Sequence, residues 1–512
     1  MNNEHPELES DNVEELILLP GEGLESHYGE DYYFLNQLHE MLEKDGIRRF
    51  QMDSDFKIGT EGWLQPADSP DDGQVQLLGS AFASGPKLVR VTAEIRRSIR
   101  ASGVVRLVPN CKYRTVSTHP GPTPIPLSGS RTTLEMKVLD VATGRPVPGA
   151  RVTLFEEVLH AIGDTGVSDN SGQLSLRVSK VPLKVERLFV EPPRTGYWGR
   201  YLENFVINSP AYQIQLDPVA TTHVDAARRA YQPALTSGAG VRVAVVDHGI
   251  DAEAVPVVAG KNLVRGEPEE EYGDDGTGHG THVAGVIANS QSGALAGIAP
   301  AAEIFSYRVF GAQSEEATSF EVLMAVVAAV QNGCHLVNLS LGGLAYDTNL
   351  RDLDVWAADR GAILIAAAGN DWGGNVTLPA ALPNTLAVAA VGRIGTFPAD
   401  SLERSLVGLR SKRDPDDFFA AFSNYQPEGA VDLVAPGVGI LSVQPGGGYG
   451  PLSGTSQACA VATAAAARAL TGTQWLTDPA DRQRTTNMKN YLLSRAVPIG
   501  LSLAHEGAGR MP

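Results

Sequence analysis

From about residue 222 onward, short apolar runs alternate with longer segments of helical period. VRVAVVD (241–247), EIFSYRVF (303–310), HLVNLSL (335–341), AILIAAAG (362–369) and LAVAAVG (386–392) are rich in β-formers and apolar at successive positions. A strand apolar on both sides must be covered on both sides, which is the signature of a buried parallel sheet. The intervening HVAGVIANS, FEVLMAVVAAVQNG and TNLRDLDVWAADRG read as the covering helices. Residues 222–512 are therefore predicted to form a doubly wound α/β domain, with reactive groups gathered at the carboxyl ends of its strands.

Upstream the pattern differs twice. In 131–216, TTLEMKVLD alternates Leu134, Met136 and Val138; ARVTLFE carries Val152 and Leu154; and QLSLRV carries Leu174, Leu176 and Val178. Period-two alternation broken by Gly, Pro and Asn predicts antiparallel strands and a small β-sandwich. The phrase VLDVATGRPVPGARVTL resembles bacterial immunoglobulin-like and carboxypeptidase-regulatory-like modules, which serve as spacers or docking surfaces, so a docking partner is expected there. Alternating prolines in THPGPTPIPLSGS (118–130) favour an extended linker. Residues 1–117 show strands at 13–20, 47–52, 87–92 and 104–109. Helices are expected at 33–46, with Phe34, Leu38, Met41 and Leu42 on one face, and over AEIRRSIRAS. That order, βαββαβ, predicts a small α+β domain.

Composition narrows the function classes. The chain has 512 residues, 41 Lys+Arg against 59 Asp+Glu and a formal net charge of −18. An acidic surface has no general attraction for phosphate backbones or anionic lipid, so neither nucleic acid nor a membrane surface is an expected partner. No apolar run approaches the roughly 20 residues of a spanning helix. The acidic start MNNEHPELESDNVEELILLP lacks the basic and apolar pattern of a secretory leader. The expectation is a cytoplasmic protein, or one exported without a cleavable signal. Cys111, Cys334 and Cys459 lie far apart, which excludes a disulfide framework or a CxxC motif.

Four phrases sit at strand ends or helix starts: AVVDHGID with Asp247, GHGTHVAGVIA with His279, AAAGN with Asn370, and SGTSQACAVATAAAA with Ser456. Nucleophilic acyl transfer needs a hydroxyl, an imidazole to take its proton, a carboxylate to orient the imidazole, and a donor for the oxyanion. All four types are present. The order Asp, His, Ser with spacings of 32 and 177 residues, together with GIAP (297–300), NLSLGG (338–343) and APGVGILS (435–442), resembles the subtilase family of serine proteases.

That resemblance implies a subtilisin-like fold and a serine endopeptidase acting on peptide or protein substrates. Ser456 would be the nucleophile, His279 the general base and acid, Asp247 the orienting carboxylate, and Asn370 an oxyanion donor beside the Ser456 N–H. Ser340, Leu341 and Gly342 would flank the bound peptide on one side, and Ala367, Ala368 and Gly369 on the other. The family's βαββαβ pro-domain implies that 1–117 assists folding and blocks the cleft, with 110–118 as a built-in inhibitor.

Several positions depart from the family pattern. His248 stands after Asp247 where Ser or Thr is usual, adding a second titrating group. Gln457 and Ala460 replace the usual Met and Pro. Pro256 and the short ANSQSGALAG segment predict that the family's tight calcium site is absent, so no metal and no cofactor is expected. His279 and His282 form an HxxH pair with no evident third ligand, and His282 reads as a hydrogen-bonded helix residue. Asp371 lies at the mouth of the expected first pocket and Thr377 near its floor, without defining a preference. EPEEEY (267–272) reads as a solvated loop, and 393–418 as a surface insertion with a charged tip. The rival reading is a non-catalytic binding protein whose cleft stays plugged by 1–117.

Overall fold

The computed structural model describes residues 13–21, 23–24, 50–51, 62–63, 75–82, 85–102, 105–115, 123–126 and 131–512, apart from 194, 233, 291–294, 313, 344–345 and 428. The expected helix at 33–46 lies outside the described residues, as do 116–118.

A nine-stranded sheet organises the C-terminal domain. Its order runs Ala259–Asn262, Glu303–Arg308, Arg242–Asp247, Leu336–Leu339, Ile363–Ala367 and Leu386–Arg393, all parallel, with Leu433–Pro436 also parallel to the last of these. The double-sided apolar character has a direct consequence. Val243 and Val245 face one core, shared with the helices His279–Ala288 and Thr455–Leu470. Ala244 and Val246 face the other, shared with Ser319–Gln331 and Thr348–Asp359. The long helix after Ser456 is mostly alanine, so it packs close beneath the sheet.

The segment 393–418, expected as a surface insertion with a charged tip, keeps that tip exposed and joins the main sheet through its flanks. Val407–Arg410 and Asp417–Ala420 extend the main sheet antiparallel at its edge. Arg393 is ringed by Asp414 at 2.8 Å and Asp417 at 2.7 Å. The acids of the expected tip thus turn back to a neighbouring strand, while Arg410, Lys412 and Arg413 stay exposed.

Residues 131–216 form two sheets around one core of Leu134, Val138, Val152, Leu176, Val185 and Leu216, among others. One is four-stranded and antiparallel; the other has three strands, in which Ala211–Leu216 runs parallel to Thr132–Asp140, not antiparallel as alternation suggested. This unit is fused to the peptidase side. Trp198, 3% exposed, belongs to the core of the C-terminal domain. Phe155, Phe189 and Tyr201 pack with Leu402, and Tyr201 N donates to Asp400 O at 2.8 Å. In the linker, Ile125 bridges Ile162 of this unit.

Near the N-terminus, Glu14–Pro20 lies antiparallel between Lys87–Val91 and Val105–Pro109, with Val75–Ser80, not anticipated from sequence, beyond them. One face buries Ile95 and Ile99 of the helix Ala93–Ser102. The other sends Ile17, Leu19, Phe82 and Leu88 into the core that contains the helices Ser319–Gln331 and Thr348–Asp359. Phe82 stacks on Trp356 at 5.8 Å, and Arg106 pairs with Asp352 at 2.6 Å.

Candidate active site

Asp247 ends a central strand, and the helix of His279 begins where the chain returns to the same strand end. Close approach depends on Gly280: a Cβ there would lie 2.2 Å from the carbonyl oxygen of Gly249. His279 Nδ1 lies 2.8 Å from Asp247 Oδ1 and 3.0 Å from Oδ2. The carboxylate is 1% exposed and the imidazole 13%. Burial alone would push His279 down, but the charge and hydrogen bond of Asp247, with Asp274 and Asp275 behind, raise its pKa above the ordinary value. With Nδ1 engaged, the proton-accepting position is Nε2, which is buried and has no hydrogen-bond partner among the described residues.

Ser456 is the second residue of Thr455–Leu470 and is buried, at the positive end of the helix dipole. Its Oγ donates to the carbonyl of Ser340 at 3.0 Å, and Ser340 Oγ returns a bond to Ser456 O at 3.1 Å. Asn370 is held by its oxygen: Oδ1 accepts from Thr455 N at 3.0 Å and Thr455 Oγ1 at 2.8 Å. Fixing that oxygen fixes the direction of the amide NH₂. Gly369, just before it, has φ +113, and a Cβ there would lie 2.2 Å from Asn424 Nδ2, so the turn after Ala367–Ala368 admits only glycine.

The predicted flanking strands are next to this group, and one of them is occupied. Lys112–Thr115 forms the middle strand of a small antiparallel sheet, between Glu316–Thr318 and Leu341–Gly342. Thr115 pairs with Leu341, Arg114 with Gly342 and Glu316, and Tyr113 with Ala317. Asn110 and Cys111 complete the junction: Asn110 Oδ1 accepts from Phe320 N at 3.1 Å, and Ser319 N donates to Cys111 O at 2.7 Å. Ala367 ends the strand beside Leu336–Leu339, and Thr377 N donates to Ala368 O at 3.0 Å. Asp371 is exposed at its edge, held by Asn424 Nδ2 at 2.7 Å.

His248 builds a second Asp–His pair alongside the first. Its N–H donates to Asp247 Oδ1 at 2.8 Å, its Nδ1 lies 2.6 Å from Asp275 Oδ2, and its ring stacks on Phe310 at 4.2 Å. Burial would raise the Asp275 carboxyl, but the hydrogen bond and charge of His248 hold it below the usual range. His248 Nε2 lies 3.5 Å from Thr115 Oγ1, so the tail strand reaches the rim of the Asp247–His279 pair.

His282 is buried in its helix, with Nε2 3.0 Å from the Ile440 carbonyl and burial pushing its pKa down to about 3. Among the described residues no group of three His, Cys, Asp or Glu could hold a metal, and no helix is long and apolar enough to cross a membrane. Glu267 and Glu269 of the acidic loop pair with Arg308 and Lys261. All three cysteines are free.

Four residues that shape the site were not found from sequence. Asp275 and Thr455 hold His248 and Asn370; Glu316 and Asp347 contact the tail. The capping-box spacing of Thr318 and Glu321 marks a helix start. Nothing local signals that the residues before it form the second wall of a groove.

A hydroxyl at a helix start, an imidazole bonded to a buried carboxylate and an amide side chain stand at strand ends of a doubly wound sheet, the residue types that nucleophilic acyl transfer requires. The model of the subtilase family matches residues 238–509, more than half of the chain. Subtilisin Savinase of Lederbergia lenta is 34% identical over 268 residues, covering 52% of this chain and 86% of its own length. The alkaline protease of Shouchella clausii is 34% identical over 268 residues, covering 52% of this chain and 61% of its own. Among solved structures, a mutant of the protease domain of PatA is matched over 55% of this chain and 94% of its own, at 26% identity and a TM-score of 0.43. The chain belongs to the subtilase family: it is a subtilisin-like serine endopeptidase acting on peptide or protein substrates.

Proposed function

We propose that Asp247, His279 and Ser456 hydrolyse the peptide bond through an acyl-enzyme, and that residues 1–117 hold the enzyme latent by occupying its groove. The observation that supports the catalytic part is a chain of contacts that leads from Ser456 along the neighbouring strand end to His279. Ser456 Oγ touches the Ser340 carbonyl, Leu341 beside it pairs with Thr115, Thr115 touches His248, and His248 is bonded to the Asp247 that orients His279.

In the resting state the Ser456 hydroxyl rests on the Ser340 carbonyl. Attack requires it to turn and surrender its proton to His279 Nε2. Asp247 keeps the proton on Nδ1, so that Nε2 is the basic nitrogen, and it stabilises the imidazolium that forms. The oxyanion is met by the Ser456 N–H and the NH₂ of Asn370. A donor of this kind is worth about 10²–10³ in kcat, a magnitude taken from a relative in the same family and not from this geometry. His279 then protonates the leaving amine, and water enters by the reverse path. No metal or cofactor is assigned a role in any of these steps.

Latency is supported by the tail strand Lys112–Thr115. It uses the backbone groups of Leu341 and Gly342 that a substrate strand would need, by strand addition. The test is labelling with a fluorophosphonate probe, on the full chain and on a form lacking 1–117. Labelling at Ser456, abolished by Ser456→Ala and faster in the shortened form, is the expected result. Labelling elsewhere overturns the catalytic assignment. Unchanged labelling, folding yield and turnover after removal of 1–117 overturn the latency.

A further inference from the structure

We infer that the groove selects substrates bearing a tyrosine three residues before the residue whose carbonyl is attacked, with basic residues on either side of that tyrosine, and that Asp347 reads the phenol hydroxyl. The inference rests on the peptidase reading above and deepens it by naming the substrate class.

The register supplies the position. Thr115 lies opposite Leu341, and the carbonyl of Ser340, the residue before Leu341, receives the Ser456 hydroxyl. A substrate strand laid in the same antiparallel register carries the residue after its Thr115 equivalent to Ser340 and the nucleophile. The residue in the place of Tyr113 is then the third before it.

Tyr113 fills a closed pocket. It is 1% exposed and is among the largest fully buried side chains of the described residues. Its ring lies against Gly343, where a Cβ would stand 3.2 Å from two ring carbons. Its hydroxyl donates to Asp347 Oδ2 at 2.9 Å. Asp347 is 2% exposed and divides its two oxygens between two tasks. Oδ1 caps the helix Thr348–Asp359, accepting from Asn349 N at 2.9 Å and Leu350 N at 3.2 Å. Oδ2 bonds the phenol.

When the tail leaves, Asp347 loses the phenol and keeps the Ser319 side chain and the helix N–H groups. A side chain that refills the pocket without a hydroxyl shuts water away from that oxygen and gives it no donor, which is costly, so a residue that restores the phenol is favoured over one that only fills the space. Phenylalanine presents the same ring without the proton. Sites built to hydrogen-bond a substrate hydroxyl discriminate strongly against the analogue that lacks it.

Strand alternation supplies the flanking preference. Residues on either side of a buried strand position point the opposite way. Lys112 Nζ lies 2.6 Å from Glu316 Oε2, and Arg114 Nε lies 3.0 Å from Glu316 Oε1. One carboxylate serves both cations at the rim. These pairs are largely exposed, so they rank below the phenol contact.

The experiment uses the full-length protein once it has become active against a denatured protein substrate and labels with the fluorophosphonate. Internally quenched peptides built on Lys-Tyr-Arg-Thr-Val are compared with the same peptides carrying Phe for Tyr, and Ser for Lys and Arg. The expected kcat/KM is about 10- to 100-fold higher for Tyr than for Phe, and about two- to fivefold higher with the basic flanks than without them. Asp347→Asn is expected to shrink the Tyr/Phe ratio to below about threefold, since a neutral amide accepts more weakly than a carboxylate.

A second readout does not depend on that variant folding: Tyr113→Phe in the full chain should raise the rate of fluorophosphonate labelling, because the tail loses the same contact. An active enzyme that treats Tyr and Phe alike overturns the substrate inference alone. A protein freed of 1–117 by limited proteolysis that still neither cleaves nor labels at Ser456 overturns the peptidase assignment and this inference with it.

Discussion

Two N-terminal units touch the peptidase domain, and they are attached in different ways. The sandwich is built in: Trp198 sits inside the peptidase core, and His223, edge-on to it at 5.0 Å, bonds the Thr396 carbonyl at 2.9 Å. Phe189 and Tyr201 grip Leu402, and Arg200 pairs with Asp400. The first unit is laid on. Its sheet covers two helices with Ile17, Leu19 and Phe82, and its last strand lies in the groove through backbone bonds, one phenol and a rim of charge.

The difference is in what departure would expose. Withdrawing the sandwich would open a cavity in the catalytic core. Withdrawing the first unit would uncover helices and a groove whose hydrogen-bonding groups a substrate can satisfy. An integrated contact suits a permanent part of the enzyme, and a surface contact with a substrate-like strand suits a removable one.

The largest effect separating them is on stability. Trp198→Ala should destabilise the peptidase domain by about 3–5 kcal/mol, as expected for an aromatic removed from a packed core, read as a lower denaturant midpoint. Phe82→Ala should leave that midpoint largely unchanged while speeding fluorophosphonate labelling of Ser456. If both variants lower the same transition equally, the distinction collapses.

A smaller effect sharpens the link between tail and triad. In the proposed mechanism His279 must be neutral to accept the serine proton, and its pKa is raised, so the acid limb of kcat/KM should lie above the ordinary histidine value of about 6.5. A limb at or below that value would contradict the geometry. By the same linkage, the stability this pair contributes is complete below about pH 6.5 and is lost as pH rises through the folded value.

The smallest expected effect is Arg200→Ala. Its pairs with Asp217 and Asp400 are partly exposed, and replacing it should cost no more than about 1 kcal/mol. A loss as large as that of Trp198→Ala would mean that charge, not apolar packing, fixes the sandwich.

Much of the catalytic domain was legible because its determinants are local. Double-sided apolar strands, helix starts and the four chemical groups lie within short phrases, and the structure pairs Asp247 with His279 and Asn370 with Thr455, the residue before Ser456. The hairpin at 407–420 was not legible, because a run such as RSKRDPDD carries the same charges whether solvated or paired, and only the position of Arg393 decides. The parallel pairing of Ala211–Leu216 was hidden for a similar reason: alternation assigns faces, not directions.

What the chain alone determined is therefore the period of each segment and the kinds of reactive side chain at its strand ends. Those depend on residues close together in sequence. What only the tertiary structure decided is who meets whom across long separations: Tyr113 with Asp347, Thr115 with His248, Trp198 with Gly439. Such meetings are set by the packing of whole sheets and helices, and no local pattern encodes the partner.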